Sequence, residues 1–291
     1  MRGSDILSYQ ISEDIELIKE LLSISSSEFA DAIGVSPETV SRWNSSACGI
    51  SPENTEKIYD FAFSEGVRLN KIKEQLYKED CRDKNRVILF HGAKSTVEGP
   101  VSVDRSRGAN DFGKGFYCGE SLEQSAMFVS GFGNSSLYIY EFDKTGLEGA
   151  QFFVDRDWML TIAFFRGRLN EYADHPIIRE LIGKVEGKDY IIAPIADNRM
   201  FEIIDSFIDG EITDVQCRHC LSATDLGKQY VFKTEKAVRQ LYFKRHCYLC
   251  DKEKKYYLTS RQEGSRIGND KVKIARRQFR GQGDYIEDIL K

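Results

Sequence analysis

The chain has 291 residues, of which 41% are hydrophobic and 30% are charged, with a formal net charge of −5 at pH 7. This composition is ordinary for a soluble protein, and the length is sufficient for two domains. No apolar run approaches the roughly 18–20 residues of a membrane helix, and "MRGSDILSYQ" lacks the apolar core of a signal peptide. We therefore predict a cytoplasmic protein with no membrane partner.

Charge is distributed unevenly along the chain. Residues 1–80 hold 8 Lys or Arg against 15 Asp or Glu, a balance of −7, whereas residues 251–291 hold 11 against 7, a balance of +4. A charged linker lies near residue 80. Together with the motifs below, this pattern predicts a helical domain at 1–80, a second domain at 81–250 and a basic tail at 251–291.

The first eighty residues are typical of several short helices. Each predicted helix begins at a side chain that accepts hydrogen bonds from backbone N–H groups, and Gly34 supplies the turn between the first two. The predicted caps are, in chain order, Ser26 or Ser27, Ser36 followed by Pro37, and Ser51. The pattern predicts a helix, a short glycine turn, a second helix and then a third.

About the first 65 residues resemble the repressor/Cro type of helix-turn-helix, with "VSPETVSRW" at 35–43 as its second helix. The resemblance implies that the exposed start of this helix faces DNA bases. The residues placed there are Pro37, Glu38, Ser41 and Arg42. DNA binding normally requires a basic surface, and this segment is acidic. Two interpretations therefore stay open: binding of DNA, or docking of a regulatory protein.

Three motifs in the middle of the chain suit one ligand. "VILF" at 87–90 predicts a buried strand that ends in His91 and Gly92, and "DFGKGFYC" predicts a second strand. "SLEQSAMF" at 121–128 predicts a short helix. A histidine at a strand end is ordinarily a hydrogen-bonded core residue, and one tyrosine is ordinarily core. Taken together, the motifs favour a site for a flat aromatic amide that carries a ribose.

The chemistry of each side chain explains this expectation. Gly92 allows a ligand to approach its backbone N–H and C=O without a side chain in the way. Tyr117 and Phe128 are suited to sandwiching the ring, and the Ser125 hydroxyl to donating to its carbonyl.

The motifs "FHG" at 90–92, "FGKGFY" at 112–117 and "SAMF" at 125–128 resemble the ADP-ribosyltransferase superfamily, the fold of poly(ADP-ribose) polymerases and diphtheria-type toxins. The resemblance implies an α+β fold with split, mostly antiparallel sheets around an NAD cleft. It also implies that His91 binds the ribose of the adenosine half, and that Gly92 and Ser125 bind the nicotinamide amide. Tyr117 and Phe128 would stack on the nicotinamide ring. Phe128 stands where the polymerases have tyrosine.

The third signature residue of that superfamily is usually a glutamate, and Gln229 stands at its position in "GKQYVF". A small bacterial family of uncharacterised domains in the same superfamily is similar here, with a glutamine and a following "TEKA" helix. The similarity covers roughly residues 86–250. Glutamine keeps a hydrogen bond to a ribose hydroxyl but cannot take a proton, so chain elongation is disfavoured. Candidates for a base elsewhere are Glu211, Asp225 and Glu235.

We therefore expect an NAD-dependent mono-ADP-ribosyltransferase with His91, Tyr117 and Gln229 as its catalytic residues. The family and the fused helical domain suggest a bacterial toxin or defence effector, including defence against phage. The acceptor stays open between protein and nucleic acid. Two alternatives also stay open: an NAD glycohydrolase that uses the same site, and a helix-turn-helix regulator whose second domain only senses NAD.

Arg105 and Arg107 lie in the loop before Tyr117. Guanidinium groups bind phosphates well, so these arginines are candidates for contact with the NAD pyrophosphate. A solvated loop charge is the alternative.

The seven cysteines include two CxxC pairs, Cys217 with Cys220 and Cys247 with Cys250. The 26 residues between the pairs exceed the roughly 15–20 residues usual for a zinc ribbon. We favour reduced thiols over a metal site.

The basic tail contains a candidate amphipathic helix at 272–279, followed by Gly281 and Gly283. We expect this helix to pack on its own domain, with contact to a nucleic-acid backbone as the alternative.

Overall fold

The computed structural model describes residues 9–45, 48–106 and 108–291. These ranges contain thirteen α-helices, two 3-10 helices and seven β-strands. No helix within them combines the length and the apolar character needed to cross a bilayer. The fold is thus a mixture of helices and strands, consistent with the predicted α+β class. The split-sheet arrangement of ADP-ribosyltransferases stays a prediction.

The elements are numbered in chain order. The helices are α1 (Ile11–Leu22), α2 (Ser26–Ile33), α3 (Pro37–Asn44), α4 (Pro52–Ser64), α5 (Leu69–Asp80), α6 (Leu122–Val129), α7 (Arg156–Phe165), α8 (Pro176–Val185), α9 (Asn198–Ile208), α10 (Asp214–Ser222), α11 (Glu235–Val238), α12 (Asp251–Gln278) and α13 (Ile286–Ile289). The strands are β1 (Arg86–Ala93), β2 (Phe116–Gly119), β3 (Ser136–Asp143), β4 (Gly149–Gln151), β5 (Tyr190–Pro194), β6 (Lys228–Phe232) and β7 (Leu241–Cys247).

The chain divides into two compact units, each built from three separate stretches. The first unit comprises Met1–Gly99, Leu122–Glu141 and Tyr242–Arg261. The second unit comprises Pro100–Ser121, Phe142–Leu241 and Gln262–Lys291. The helices α1–α5 therefore share a unit with β1, α6 and the residues that follow β7.

Side-chain caps start the early helices, as the sequence predicts. The Ser36 hydroxyl accepts from the backbone N–H of Thr39, and Pro37 occupies the first turn of α3. The cap of α2 differs from the prediction, because Ser25 occupies it rather than Ser26 or Ser27. Glu28 lies three residues beyond Ser25, which allows the reciprocal hydrogen bonds of a capping box.

A buried carboxylate ties the helices of the first unit to its strands. Asp14 on α1 accepts from the Lys73 ammonium at 2.7 Å, from the Arg245 guanidinium at 2.6 Å and from the Tyr59 hydroxyl. Because all four side chains are buried, each charge depends on its partner.

A second buried polar contact joins α5 to the start of α12. The Asn70 amide nitrogen donates to the Glu253 carboxylate at 2.9 Å and to the Tyr248 carbonyl oxygen at 2.8 Å. Burial raises the pKa of Glu253 to about 7. The Tyr248 hydroxyl in turn donates to Glu56 on α4 at 2.6 Å.

The strands of the second unit lie in the order β4–β5–β6–β2. The β4–β5 pair is parallel, whereas β5–β6 and β6–β2 are antiparallel. In the β2–β6 register, Tyr117 is opposite Val231 and Gly119 is opposite Gln229. The strands of the first unit lie in the order β1–β3–β7.

Helix α12 is longer than predicted, because it is a continuous helix of 28 residues. Lys, Arg, Glu and Gln are frequent along it, and these side chains favour helix strongly enough to carry it through two glycines. In the second unit, Arg199 packs on Gly268, and its guanidinium donates to the Ser265 carbonyl oxygen at 2.8 Å. Beyond the helix, the Phe279 ring stacks on His219 with centroids 3.5 Å apart. The prediction that this segment packs on its own domain is confirmed.

Candidate active site

Gly92 lies near the end of β1 with α6 packed directly over it, whereas the side chain of the preceding His91 points to the opposite face of the strand. A Cβ atom added at Gly92 would come within 2.5 Å of the Ser125 carbonyl oxygen and 2.9 Å of Val129 Cγ1. The Ser125 hydroxyl donates to the carbonyl oxygen of Phe90 on β1 at 3.3 Å. The first unit therefore brings Gly92 and Ser125 together, and the close approach of helix and strand alone requires a glycine at 92.

The Phe128 ring lies on the outer side of α6 and is 57% exposed, whereas Ser125 is buried. An exposed aromatic ring of this size is available to stack on a planar ligand.

The His91 imidazole stands at the end of a row of rings in the first unit. Its centroid is 6.4 Å from that of Tyr138, which stacks on His246 at 4.5 Å. His246 stacks in turn on Tyr9 at 3.9 Å. The Tyr138 hydroxyl accepts from the Val97 backbone N–H at 2.8 Å, which ties the segment after β1 to this row.

A cavity of about 680 Å³ opens in the first unit beside the segment that follows β1. This volume is within the range of small-molecule sites. The lining is polar with two aromatic rings, and consists of Tyr9, Ser95, Thr96, Glu98, Gly133, Asn134, Ser135, Ser136, Tyr248, Leu249 and Lys254.

The glycine-rich loop before β2 is tightly packed in the second unit. Gly113 has a φ of +71°, which favours glycine, and a Cβ at Gly115 would come within 2.8 Å of the Phe232 carbonyl oxygen. The Lys233 ammonium donates to the carbonyl oxygens of Phe112 and Lys114 at 2.5 and 2.6 Å. Burial lowers the pKa of Lys233. The glycine spacing thus follows from close packing of the loop on β6.

Tyr117 is anchored through its hydroxyl group. The hydroxyl donates to the Gly113 carbonyl oxygen at 2.7 Å and accepts from the Phe112 N–H at 3.2 Å. Burial raises the pKa of Tyr117, so the side chain stays a neutral phenol. The ring packs partly on the core of the second unit. Its orientation is therefore fixed by the glycine-rich loop.

Gln229 is the second residue of β6 and lies on the same face as Tyr117. Residues paired across antiparallel strands share a face, and Gln229 is the diagonal neighbour of Tyr117, a relation of roughly 7–8 Å. The Gln229 amide nitrogen donates to Asp111 at 2.7 Å and to the Pro194 carbonyl oxygen at 3.0 Å. Asp111 also pairs with the Arg166 guanidinium at 2.5 Å. Loop 111–113 thus contacts both predicted residues.

Sequence reasoning missed Asp111, Arg166 and Lys233. Two of them adjoin predicted motifs, because Asp111 precedes "FGKGFY" and Lys233 follows "QYVF". Their positions beside these motifs were the available signal, whereas nothing near Arg166 marks it.

The candidate bases are each engaged within the second unit. Glu235 accepts from the Ser102 hydroxyl at 2.9 Å, and Glu211 pairs with Arg276 at 3.1 Å. Asp225 accepts from a backbone N–H in its own turn. None of these contacts marks one carboxylate as a base.

Of the two loop arginines, Arg105 ends a 3-10 helix that begins at Val103. The side chain of Arg105 and the whole of Arg107 lie outside the described residues.

The CxxC cysteines are all buried. Cys217 and Cys220 belong to α10 in the second unit, and Cys247 and Cys250 to the first unit. Burial raises the pKa of all four thiols, which disfavours the thiolate that a metal requires.

One group of side chains in the described ranges has the spacing of metal ligands: Glu56, Asp60 and Cys250. The Glu56 carboxylate already accepts from the Tyr248 hydroxyl and the Asp251 N–H, both at 2.6 Å. These hydrogen bonds compete with metal coordination.

The predicted DNA-facing residues lie on the surface of α3. Glu38, Ser41 and Arg42 are exposed, whereas Val40 and Trp43 on the same helix are buried in the first unit. The exposed face carries one cation and one carboxylate, so its charge favours neither DNA nor a protein partner.

A family model described as "Protein of unknown function (DUF3990)" matches residues 87–243. These residues include both predicted strands, α6 and Gln229. No curated protein matches the chain, and no solved structure does.

Proposed function

We propose that this chain, which belongs to the DUF3990 family of proteins of unknown function, is an NAD-dependent mono-ADP-ribosyltransferase acting on a macromolecular acceptor. One observation carries the proposal: Tyr117 and Gln229, two members of the catalytic signature, lie on one face of adjacent strands and share contacts with a single loop. The packing of Ser125 over Gly92 in the first unit supports it.

The chemistry follows from these side chains. The family resemblance assigns Tyr117 and Phe128 to stacking on the nicotinamide ring, and the Gly92 backbone and Ser125 to binding its amide. Departure of nicotinamide leaves a ribosyl centre with oxocarbenium character, which fixed dipoles around the ribose stabilise. Gln229 accepts a hydrogen bond from a ribose hydroxyl, and His91 binds the adenosine ribose. A neutral Gln229 cannot activate a sugar hydroxyl, so transfer stops after one ADP-ribose.

The test is release of nicotinamide from labelled NAD. His91→Ala and Tyr117→Ala are expected to abolish nicotinamide release. Both variants should still show a cooperative thermal unfolding transition, which indicates that they are folded. Phe128→Ala is expected to raise KM for NAD by about tenfold, the order of one lost ring contact. Its matched control is Phe153→Ala, since Phe153 is 62% exposed and belongs to no motif. Equal turnover by wild type, His91→Ala and Tyr117→Ala would refute the enzyme assignment.

The fate of the label separates this proposal from the glycohydrolase. A transferase leaves label on protein or nucleic acid in a lysate, whereas a glycohydrolase leaves free ADP-ribose only. A sensor would bind NAD and release no nicotinamide. The role as a toxin or defence effector rests on the family resemblance, and predicts growth arrest on expression of wild type but not of His91→Ala.

A further inference from the structure

Asp111 is a buried carboxylate at the centre of the polar network around Gln229. It is 6% exposed and accepts from four donors. These are the Gln229 amide at 2.7 Å, the Ala196 backbone N–H at 3.2 Å, and the Arg166 Nε and Nη2 groups at 2.9 and 2.5 Å. An ionised carboxylate offers about four acceptor positions, so this number of donors holds Asp111 in a fixed orientation.

The partners of Gln229 determine which way its amide points. Both Asp111 and the Pro194 carbonyl are acceptors only, and they lie 2.7 and 3.0 Å from the amide nitrogen. The nitrogen must therefore face them, because the amide oxygen has no hydrogen to donate. With both amide hydrogens committed, the remaining hydrogen-bonding capacity of Gln229 is that of its carbonyl oxygen.

We infer that Asp111 is a positioning residue: it holds the Gln229 amide so that the carbonyl oxygen is presented to a ribose hydroxyl of NAD. This inference rests on the proposed function. A glutamate presents an oxygen in either orientation of its carboxylate, whereas a glutamine does so only when its nitrogen is held elsewhere. Asp111 supplies that constraint, and it also disfavours a glutamate at position 229.

The first test is direct and uses the wild-type protein. The side-chain amide protons of Gln229, identified by their loss in Gln229→Glu, should exchange slowly with solvent because both are donated to buried acceptors. Rapid exchange would overturn the inference even if no substitution at Asp111 yields a folded protein.

The second test is a cycle of Asp111→Asn, Gln229→Glu and the double variant, measured by thermal melting. Gln229→Glu places two carboxylates about 2.7 Å apart, and like charges at that distance raise a carboxyl pKa in the folded state. Its melting temperature should therefore fall more steeply with rising pH than that of the wild type. Asp111→Asn in the same chain should remove this dependence, because the amide introduced at position 111 can donate to the carboxylate introduced at position 229.

The third test is turnover. Asp111→Asn frees the Gln229 amide to rotate, and is expected to lower kcat by about 10–100-fold with KM for NAD almost unchanged, as for an interaction that strengthens in the transition state. The double variant should be at least about tenfold more active than Asp111→Asn, because a carboxylate presents oxygen in either orientation. A purely structural role predicts no such rescue.

Asn70→Asp provides a matched control. Like Gln229, Asn70 donates hydrogen bonds from its amide nitrogen to a buried carboxylate and to a backbone carbonyl oxygen. It should destabilise the fold with rising pH and leave kcat and KM unchanged. Wild-type kcat in a folded Asp111→Asn, or a double variant no more active than that single, would overturn the inference. Absence of nicotinamide release by the wild type would instead refute the proposed function and the role of Gln229 at the ribose. The pairing of Asp111 with Gln229 would still be visible in the melting curves.

Discussion

Asp14→Ala is expected to destabilise the first unit strongly. The carboxylate is 1% exposed and accepts from Lys73 and Arg245, whose side chains are 5% and 7% exposed. Its removal leaves two buried cations and the Tyr59 hydroxyl without their common acceptor. Breaking a buried ion pair from one side costs about 3–5 kcal/mol. We expect a loss of about 3–5 kcal/mol in the free energy of unfolding, because Lys73 loses its ion pair with Asp14 whereas Arg245 keeps its ion pair with Glu13.

The assay is urea unfolding followed by circular dichroism, with thermal melting alongside. A loss of this size corresponds to a fall of about 10 °C in Tm for a domain of this size. The control is Glu53→Ala, which removes an exposed ion pair of 2.7 Å with Lys57 and should cost less than about 1 kcal/mol. If Asp14→Ala unfolds at the same urea concentration as Glu53→Ala, the buried network does not stabilise the unit as argued.

Three further predictions concern individual residues. The folded pKa of Glu253, about 7, exceeds its unfolded value of 4.5, so stability should fall by up to about 3 kcal/mol as pH rises from 4.5 through 7. Glu253→Gln should remove that slope in urea titrations at pH values across this window, and an unchanged slope would contradict the assignment. Gly92→Ala should cost about 1–3 kcal/mol because its Cβ meets Ser125, whereas Gly133→Ala has open space and should melt like the wild type. Ser36→Ala removes an N-cap and should cost about 1 kcal/mol in the same melts; no loss would mean that the cap is dispensable.

Local patterns predicted the early helices and β1 well. The Ser36 cap and the apolar run before His91 depend on residues within a few positions of one another, and both are confirmed. The cap of α2 was placed one or two residues late, because the choice between neighbouring serines depended on the position of Glu28. The length of α12 was underestimated, because the amphipathic pattern was recognised only over 272–279, whereas the helix begins at Asp251.

The candidate site could be predicted in its residue types but not in its supporting contacts. Gln229 could be recognised only from the motif "GKQYVF" in which it lies. Its partner Asp111 is 118 positions away in the chain. Contacts at such separation depend on which distant segments of the chain pair with each other, and a local sequence pattern does not identify the partner. Gly92 was interpreted as room for a ligand, and the close packing of Ser125 over it gives a second reason for a glycine there.

The contacts between α1–α5 and residues 245–253 have a bearing on how such a protein can change over generations. Asp14 and Asn70 precede the portion matched by the family, and Arg245 and Glu253 follow it. Each flank therefore completes the buried hydrogen bonds of the other. A recombination event that replaced only one of these two segments would leave a charged side chain buried without its partner. The segments before and after the family-matched portion are therefore expected to be exchanged together.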